Sequence, residues 1–319
     1  MEAKKMLKVA LVGVGNISGA HIPAWRSMEN VDLVALCDIR SERMEYHENV
    51  RKYTDFDEML NNEKIDILDI CLPTYLHADY SIKALDRGIN VICEKPVSLK
   101  KEDVKRIYGA AQRNNVKFMI AQVLRFWPEY EYIKNLYETE KYGKLLSGSM
   151  NRLGCYPTNS WEGWMMDKER SGLVPFDLHI HDLDFIIYAF GNPNKISNFR
   201  IQRPEQDSVD AVYKYDGFFI NTQASWYASP YPFQMSFLFQ FENAVAAMED
   251  NQLTIYERDG KIFKPFDTEN EDSGVMGLPK SDAYANEIMY FADCVENDKP
   301  VEKVKPEQLE DVLDILLKI

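Results

Sequence analysis

Apolar residues follow two different rhythms along this chain. Over the first 125 residues, short apolar runs (Leu7–Val12, Val31–Cys37, Ile67–Leu72, Asn90–Cys93 and Lys117–Ala121) alternate with stretches of helical spacing. One such stretch, Leu76–Arg87, sets Leu76, Tyr80, Ala84 and Arg87 on one face and closes on Gly88. Largely apolar runs suit strands buried on both faces. Strand and helix in strict alternation predict a parallel sheet covered on both sides, and right-handed crossovers make it doubly wound. Beyond residue 125 the rhythm changes. After a helical stretch at Glu129–Glu140, the segments Ala211–Tyr215, Phe218–Trp226, Phe233–Phe239 and Leu253–Tyr256 are rich in aromatic and β-branched residues. Tyr215-Asp216-Gly217 supplies a hairpin turn, so the second sheet is expected to be largely antiparallel. Pro306–Ile319 predicts a closing helix with Leu309, Val312, Leu313 and Leu316 on one face. The expected division is an α/β domain over 1–124 and an α+β domain over 125–319, the last helix packing back towards the first domain.

Composition narrows the function classes. A length of 319 residues suits two domains, and 45% apolar with 28% charged residues excludes a disordered or collagen-like chain. With 51 acidic against 37 basic side chains the formal charge is −14, which disfavours binding to nucleic acid or to anionic lipid. No apolar run reaches the roughly 18 residues of a membrane helix. The opening Met1–Gly13 carries three lysines and a short apolar stretch, but it runs into Gly-Val-Gly-Asn and reads as a first strand, not as a signal peptide. Five cysteines, odd in number and without CxxC spacing, suit buried hydrophobes in a reducing cytoplasm.

Three motifs carry candidate chemistry. Gly13-Val14-Gly15-Asn16-Ile17-Ser18-Gly19 follows the first predicted strand and opens a helix. Gly13 allows the tight turn and Gly15 lets the backbone approach a pyrophosphate, with Asn16 and Ile17 at the helix entry. Asp38 ends the second strand, where a carboxylate accepts hydrogen bonds from an adenosine ribose and repels a 2′-phosphate. NAD is therefore expected, with Arg40 keeping NADP open. The second motif, Glu94-Lys95-Pro96, puts a lysine just past the carboxyl end of a parallel strand, where open α/β sheets bind ligands. Partly desolvated there, its ammonium is suited to proton transfer; bathed in water, it is only a surface lysine.

The third motif is Pro175–Asp184. As a strand it would pair His179 with His181 like a metal site, but as a helix it gives a continuous apolar stripe of Phe176, Ile180, Leu183, Ile187 and Phe190 ending at Gly191. The helix accounts for more of the residues. Asp177 and His181 then stand at i and i+4, a carboxylate able to orient an imidazole for general acid/base work, while His179 points elsewhere and suits packing. No metal is expected. Pro73, Thr74 and His77 follow the fourth strand and suit the wall of a cofactor groove. Arg125 stands at the expected domain junction, able to meet a carboxylate or to form a salt bridge, and Trp164 suits a pocket wall for a sugar-like ring or the core.

These motifs, in this order, resemble the Gfo/Idh/MocA oxidoreductases, the family of glucose–fructose oxidoreductase and inositol dehydrogenase. The likeness rests on Gly13, Gly15 and His21, on Asp38, on Pro73-Thr74 with His77, on Glu94-Lys95-Pro96 and on Asp177 with His181. The resemblance implies an N-terminal Rossmann domain and a C-terminal α+β domain. The large, mostly antiparallel, open-faced sheet of the latter would join subunits into a homodimer or homotetramer. It implies NAD-dependent hydride transfer at a hydroxyl or carbonyl carbon of a sugar, cyclitol or related polyol, in the cytoplasm. Lys95 and His181 would handle the proton, Asp177 would bind a neighbouring hydroxyl and orient His181, and Glu94 would lie near the nicotinamide ribose. Gln122–Phe126 departs from the Asn-Arg-Arg-like run of many polyol-acting relatives, and Ser18 replaces a glycine. Two other outcomes fit the same resemblance: a glycosidase that oxidises its sugar only transiently, and a non-catalytic dinucleotide sensor.

Overall fold

The structure, a computed structural model, describes residues 6–266 and 282–319. Its first part runs β1 (Leu7–Val12), α1 (Ser18–Arg26), β2 (Val31–Cys37), β3 (Arg51–Tyr53), α2 (Phe56–Asn62), β4 (Ile67–Ile70), α3 (His77–Leu85), β5 (Asn90–Glu94), α4 (Lys101–Asn114) and β6 (Phe118–Ala121). Then follow α5 (Pro128–Thr139), β7 (Leu145–Cys155), α6 (Lys168–Ser171), a π-turn over Pro175–His179, and α7 (Ile180–Phe190). The strands β8 (Lys195–Arg203), β9 (Gln206–Lys214), β10 (Phe219–Tyr227), β11 (Gln234–Phe241), β12 (Ala244–Glu249), β13 (Gln252–Glu257) and β14 (Ile262–Phe263) come next, before α8 (Ala283–Glu296) and α9 (Pro306–Leu316).

The chain divides into two compact units, one of Met1–Val123 with Ser281–Leu309, the other of Leu124–Lys280 with Glu310–Ile319. In the first unit six parallel strands lie in the order β3-β2-β1-β4-β5-β6. The order reverses between β1 and β4, and ligands of open α/β sheets bind outside the strand ends at such a switch point. All four residues of β4 and all four of β6 are buried, as expected for strands covered on both faces. Helix α8 packs on α1 and so joins this unit despite its late place in the sequence.

The second unit is built on an eight-stranded sheet, β14-β13-β12-β11-β7-β10-β9-β8, antiparallel except where β7 and β10 run parallel. Alternation along β9 separates a buried face, with Val209, Ala211 and Tyr213, from an exposed one. The buried face continues through Met150 and Arg152 of β7, Ala224 and Trp226 of β10 and Phe237 and Phe239 of β11. The π-turn, α5 and α7 belong to the layer over it. The opposite face carries Ser147, Ser149, Asn151, Asn221 and Gln223 beside exposed apolar side chains: Phe199, Ile201, Phe219, Leu238 and Tyr256.

Candidate active site

The glycine loop between β1 and α1 is held from three sides. Gly13 takes a φ of +93°, and a Cβ built on it would lie 2.5 Å from the Cys71 carbonyl oxygen, so a side chain is excluded twice over. Asp38, at the end of β2, accepts the Val14 amide at 2.8 Å on one carboxylate oxygen and the Arg40 amide at 2.9 Å on the other. Arg43 donates to the Val14 carbonyl at 3.0 Å. Ser18, standing where a third glycine is usual, donates its hydroxyl back to the Gly15 carbonyl at 2.7 Å and closes the turn from within. No side chain caps the first turn of α1, and space is open where a Cβ at Gly15 would point. An uncapped helix start beside open space under a bare backbone is a cradle that fits a pyrophosphate. Asn16 is exposed and Ile17 half-buried at its rim.

Glu94 ends β5 and Lys95 follows it, half-buried. The Glu94 carboxylate accepts the Lys95 amide at 3.1 Å and meets the fully buried His21 Nε2 at 3.0 Å. On its other side His21 Nδ1 meets Asp69 Oδ2 at 2.9 Å, and Trp25 donates its indole N–H to the same oxygen at 2.7 Å. Burial alone would lower the His21 pKa, but the Asp69 carboxylate at hydrogen-bond distance overrides it, and the pKa lies well above the ordinary histidine value. Burial drives Cys71 the other way, far above the thiol range, so it stays neutral and inert. His21, Asp69 and Cys71 are the one group of metal-ligating side chains gathered among the described residues, their ligand atoms within 4.8 Å of one another. The indole proton on Asp69 makes this a hydrogen-bonded ion cluster.

The turn after β4 meets this loop through His77. Its ring, fully buried, contacts the Pro96 carbonyl at 2.7 Å through Nδ1 and the Leu72 carbonyl at 2.7 Å through Nε2. Burial pushes its pKa down, against two carbonyls that favour protonated nitrogens. Pro73 is half-buried and Thr74 buried within this turn.

In the second unit the segment Pro175–Phe190 is helical throughout, but its first turn is π-wound, a departure from the uniform helix expected. Such turns recur at functional sites because the extra residue re-aims the side chains after it. Asp207, itself gripped by Arg200 at 2.9 and 2.8 Å, accepts the Val174 amide at 3.2 Å at the start of that turn. Between Ser171 and Phe190 only Asp177, His181 and Tyr188 are less than fully buried, so the Asp177–His181 pair lies on the accessible stripe. His179 faces inward, with Nε2 on the Tyr213 hydroxyl at 2.7 Å and its ring stacked on Tyr213. Beside it Arg152 pairs with Asp182 at 2.9 Å, both buried. Arg125 is fully buried and bidentate to Asp184, at 2.8 and 2.6 Å, with the Tyr188 ring 4.8 Å from its guanidinium carbon. Trp164 is half-buried in a turn over Trp161–Met166.

Asp69, Trp25, Asp207, Arg152 and Tyr213 escaped sequence reading. No spacing along the chain marks any of them, because the partners of each lie far away in sequence. Burial and the Arg152 charge lower the His179 pKa from 6.5 to about 4. Its neutral ring thus stabilises the fold fully above about pH 6.5, and that stabilisation drains as the pH falls towards 4. At about 1.4 kcal/mol per pH unit the loss reaches about 3 kcal/mol. His179→Gln keeps a partner for Tyr213 but cannot titrate, so urea unfolding should show a flatter stability curve between these pH values. A slope equal to that of the parent would assign the acid sensitivity to other groups.

Residues 7–122 match the model described as the oxidoreductase family, NAD-binding Rossmann fold, and residues 130–262 match the GFO/IDH/MocA C-terminal domain. A D-apiose dehydrogenase of Paraburkholderia graminis is 28% identical over 197 residues, 60% of this chain and 52% of that protein. A 2,7-anhydro-N-acetylneuraminate hydratase of Mediterraneibacter gnavus is 29% identical over 188 residues, 59% of this chain and 50% of that protein. The aligned part thus spans about half the length of these curated relatives. A levoglucosan dehydrogenase solved with NADH and levoglucosan shares the fold, with a TM-score of 0.83 at 18% identity over 98% of this chain and 96% of that one.

Proposed function

The chain belongs to the Gfo/Idh/MocA oxidoreductase family, and from that premise we propose that it is an NAD-dependent dehydrogenase of a sugar, cyclitol or related polyol. The observation that carries this is the half-buried Lys95, set at the carboxyl end of β5 in the sheet whose β1 end bears the pyrophosphate cradle. When bound, the nicotinamide supplies the hydride acceptor or donor. The backbone of Gly13 and Gly15, with Asn16 and Ile17, would hold the pyrophosphate. Asp38 would meet the adenosine ribose, favouring NAD over NADP, and Pro73, Thr74, His77 and Glu94 would line the groove. Lys95 and His181 are the proposed proton-handling groups, His181 oriented by Asp177. Trp164 and Arg125 are proposed on the substrate side, Arg125 through the buried pair that braces α7.

The test is a panel of sugars, cyclitols and their keto forms with NAD and NADP, read by nicotinamide absorbance. NADH formation with a member of the panel supports the reading; tight NAD binding with no turnover anywhere would replace it by the dinucleotide sensor. A relative named as a hydratase keeps the transient-oxidation reading in play. Glycoside cleavage without accumulating NADH would select it. The exposed Phe199, Ile201, Phe219, Leu238 and Tyr256 share one sheet face, which we propose joins two copies of this chain. Sedimentation above the value for a 37.1 kDa monomer is the expected result.

A further inference from the structure

The His21 cluster lies outside the cradle and outside the proton-handling groups, yet it touches both. Asp69 and Glu94 approach the two ring nitrogens of His21 at 2.9 and 3.0 Å, and neither carboxylate oxygen can donate when ionised. A neutral imidazole has one N–H, so one buried carboxylate would face a lone pair at hydrogen-bond distance. With both carboxylates ionised, only the doubly protonated ring satisfies both. The far oxygen of Glu94 accepts the Lys95 amide at 3.1 Å, so the contacts run unbroken from Trp25 and His21 on α1, through Asp69 on β4 and Glu94 on β5, to the backbone of Lys95. Cys71 flanks Asp69 with its thiol at 3.6 Å, and α8 brings the Tyr284 ring to 6.1 Å from His21 and carries the buried Glu287 one turn on.

We propose that His21 is a positioning residue for Lys95. Held as a cation between Asp69 and Glu94, it locks the Glu94 carboxylate onto the Lys95 amide, so the lysine leaves β5 in one direction. Because α1 also starts at the pyrophosphate cradle, the same ring ties the helix that receives the cofactor to the loop that carries the ammonium. The proposal rests on the reading of Lys95 as a proton-handling group, but its first test does not use activity. In the 15N-labelled full chain, ring-nitrogen NMR of His21, assigned among the five histidines with His21→Gln, should show both nitrogens protonated at pH 7.5. The Lys95 amide should be protected from hydrogen exchange at the same pH. A neutral His21 ring, or an unprotected Lys95 amide, overturns the proposal whatever the enzyme turns over.

The second test removes the charge farthest from Lys95. In Asp69→Asn, His21 should lose its second proton near neutrality, and Lys95 amide protection should fall about tenfold above that pH. With a substrate in hand, kcat should drop about tenfold and decline as pH rises through the same value, while KM and NAD affinity stay within about threefold. A cluster that merely stabilises the fold would leave the pH profile of kcat unchanged, and that result overturns the positioning role. Should Asp69→Asn fail to fold, the measurements on the parent chain still decide.

Discussion

Replacing Lys95 or His181 by alanine is expected to cut turnover by about 10²- to 10⁴-fold while NAD still binds. That range is what a positioned proton-transfer group contributes. The asymmetry between turnover and binding follows from where the cofactor contacts arise. The proposed contacts come mainly from the backbone of the glycine loop and from Asp38, and Asp38 is fixed by the Val14 and Arg40 amides without help from Lys95. His181 belongs to the other unit, on the accessible stripe it shares with Asp177. Asp177→Asn should fall less far than His181→Ala, because it removes the orienting charge and leaves the imidazole. Single-turnover rates together with NADH fluorescence titration separate the two effects. Near-parent turnover in both alanine variants would refute the assignment of Lys95 and His181.

Arg125→Ala is expected to destabilise the second unit by about 3–5 kcal/mol, the usual result of stranding one member of a buried ion pair. The guanidinium is fully buried and makes two bonds to Asp184 from the start of the second unit to the middle of α7. Its removal leaves Asp184, 1% exposed, as an uncompensated carboxylate. Arg125→Met with Asp184→Leu should recover much of that loss, since a well-packed apolar pair needs no desolvation of charge. Denaturant unfolding of the single and double variants reads this out. A large rise in KM with unchanged stability in Arg125→Ala would instead mean that the guanidinium meets substrate directly.

How far the chain could be read from its residues differs between the two units. The parallel sheet was legible because strands buried on both faces demand largely apolar runs, and Leu7–Val12, Val31–Cys37 and Ile67–Ile70 are such runs, each with a single charged residue. The glycine loop, Asp38 and Glu94-Lys95 were legible because backbone approach and strand ends restrict residue type at short spacing. Strand β7 was not. Ser147, Ser149 and Asn151 alternate with its buried positions, so the central strand of the second sheet reads as polar sequence. Nor was the placement of α8, whose pattern says helix and nothing about which unit it covers.

What the residues determined alone is therefore local: periodicities, turns, and the residue types that a bare backbone or a strand terminus requires. The tertiary structure decided which ionisable groups are buried and against what. His179 is turned onto Tyr213, Arg125 is clamped by Asp184, and His21 is caught between Asp69 and Glu94, residues 48 and 73 positions away. The charge state of a histidine depends on desolvation and on carboxylates within a few ångströms. Those distances are set by strand order and packing, to which spacing along the chain is blind.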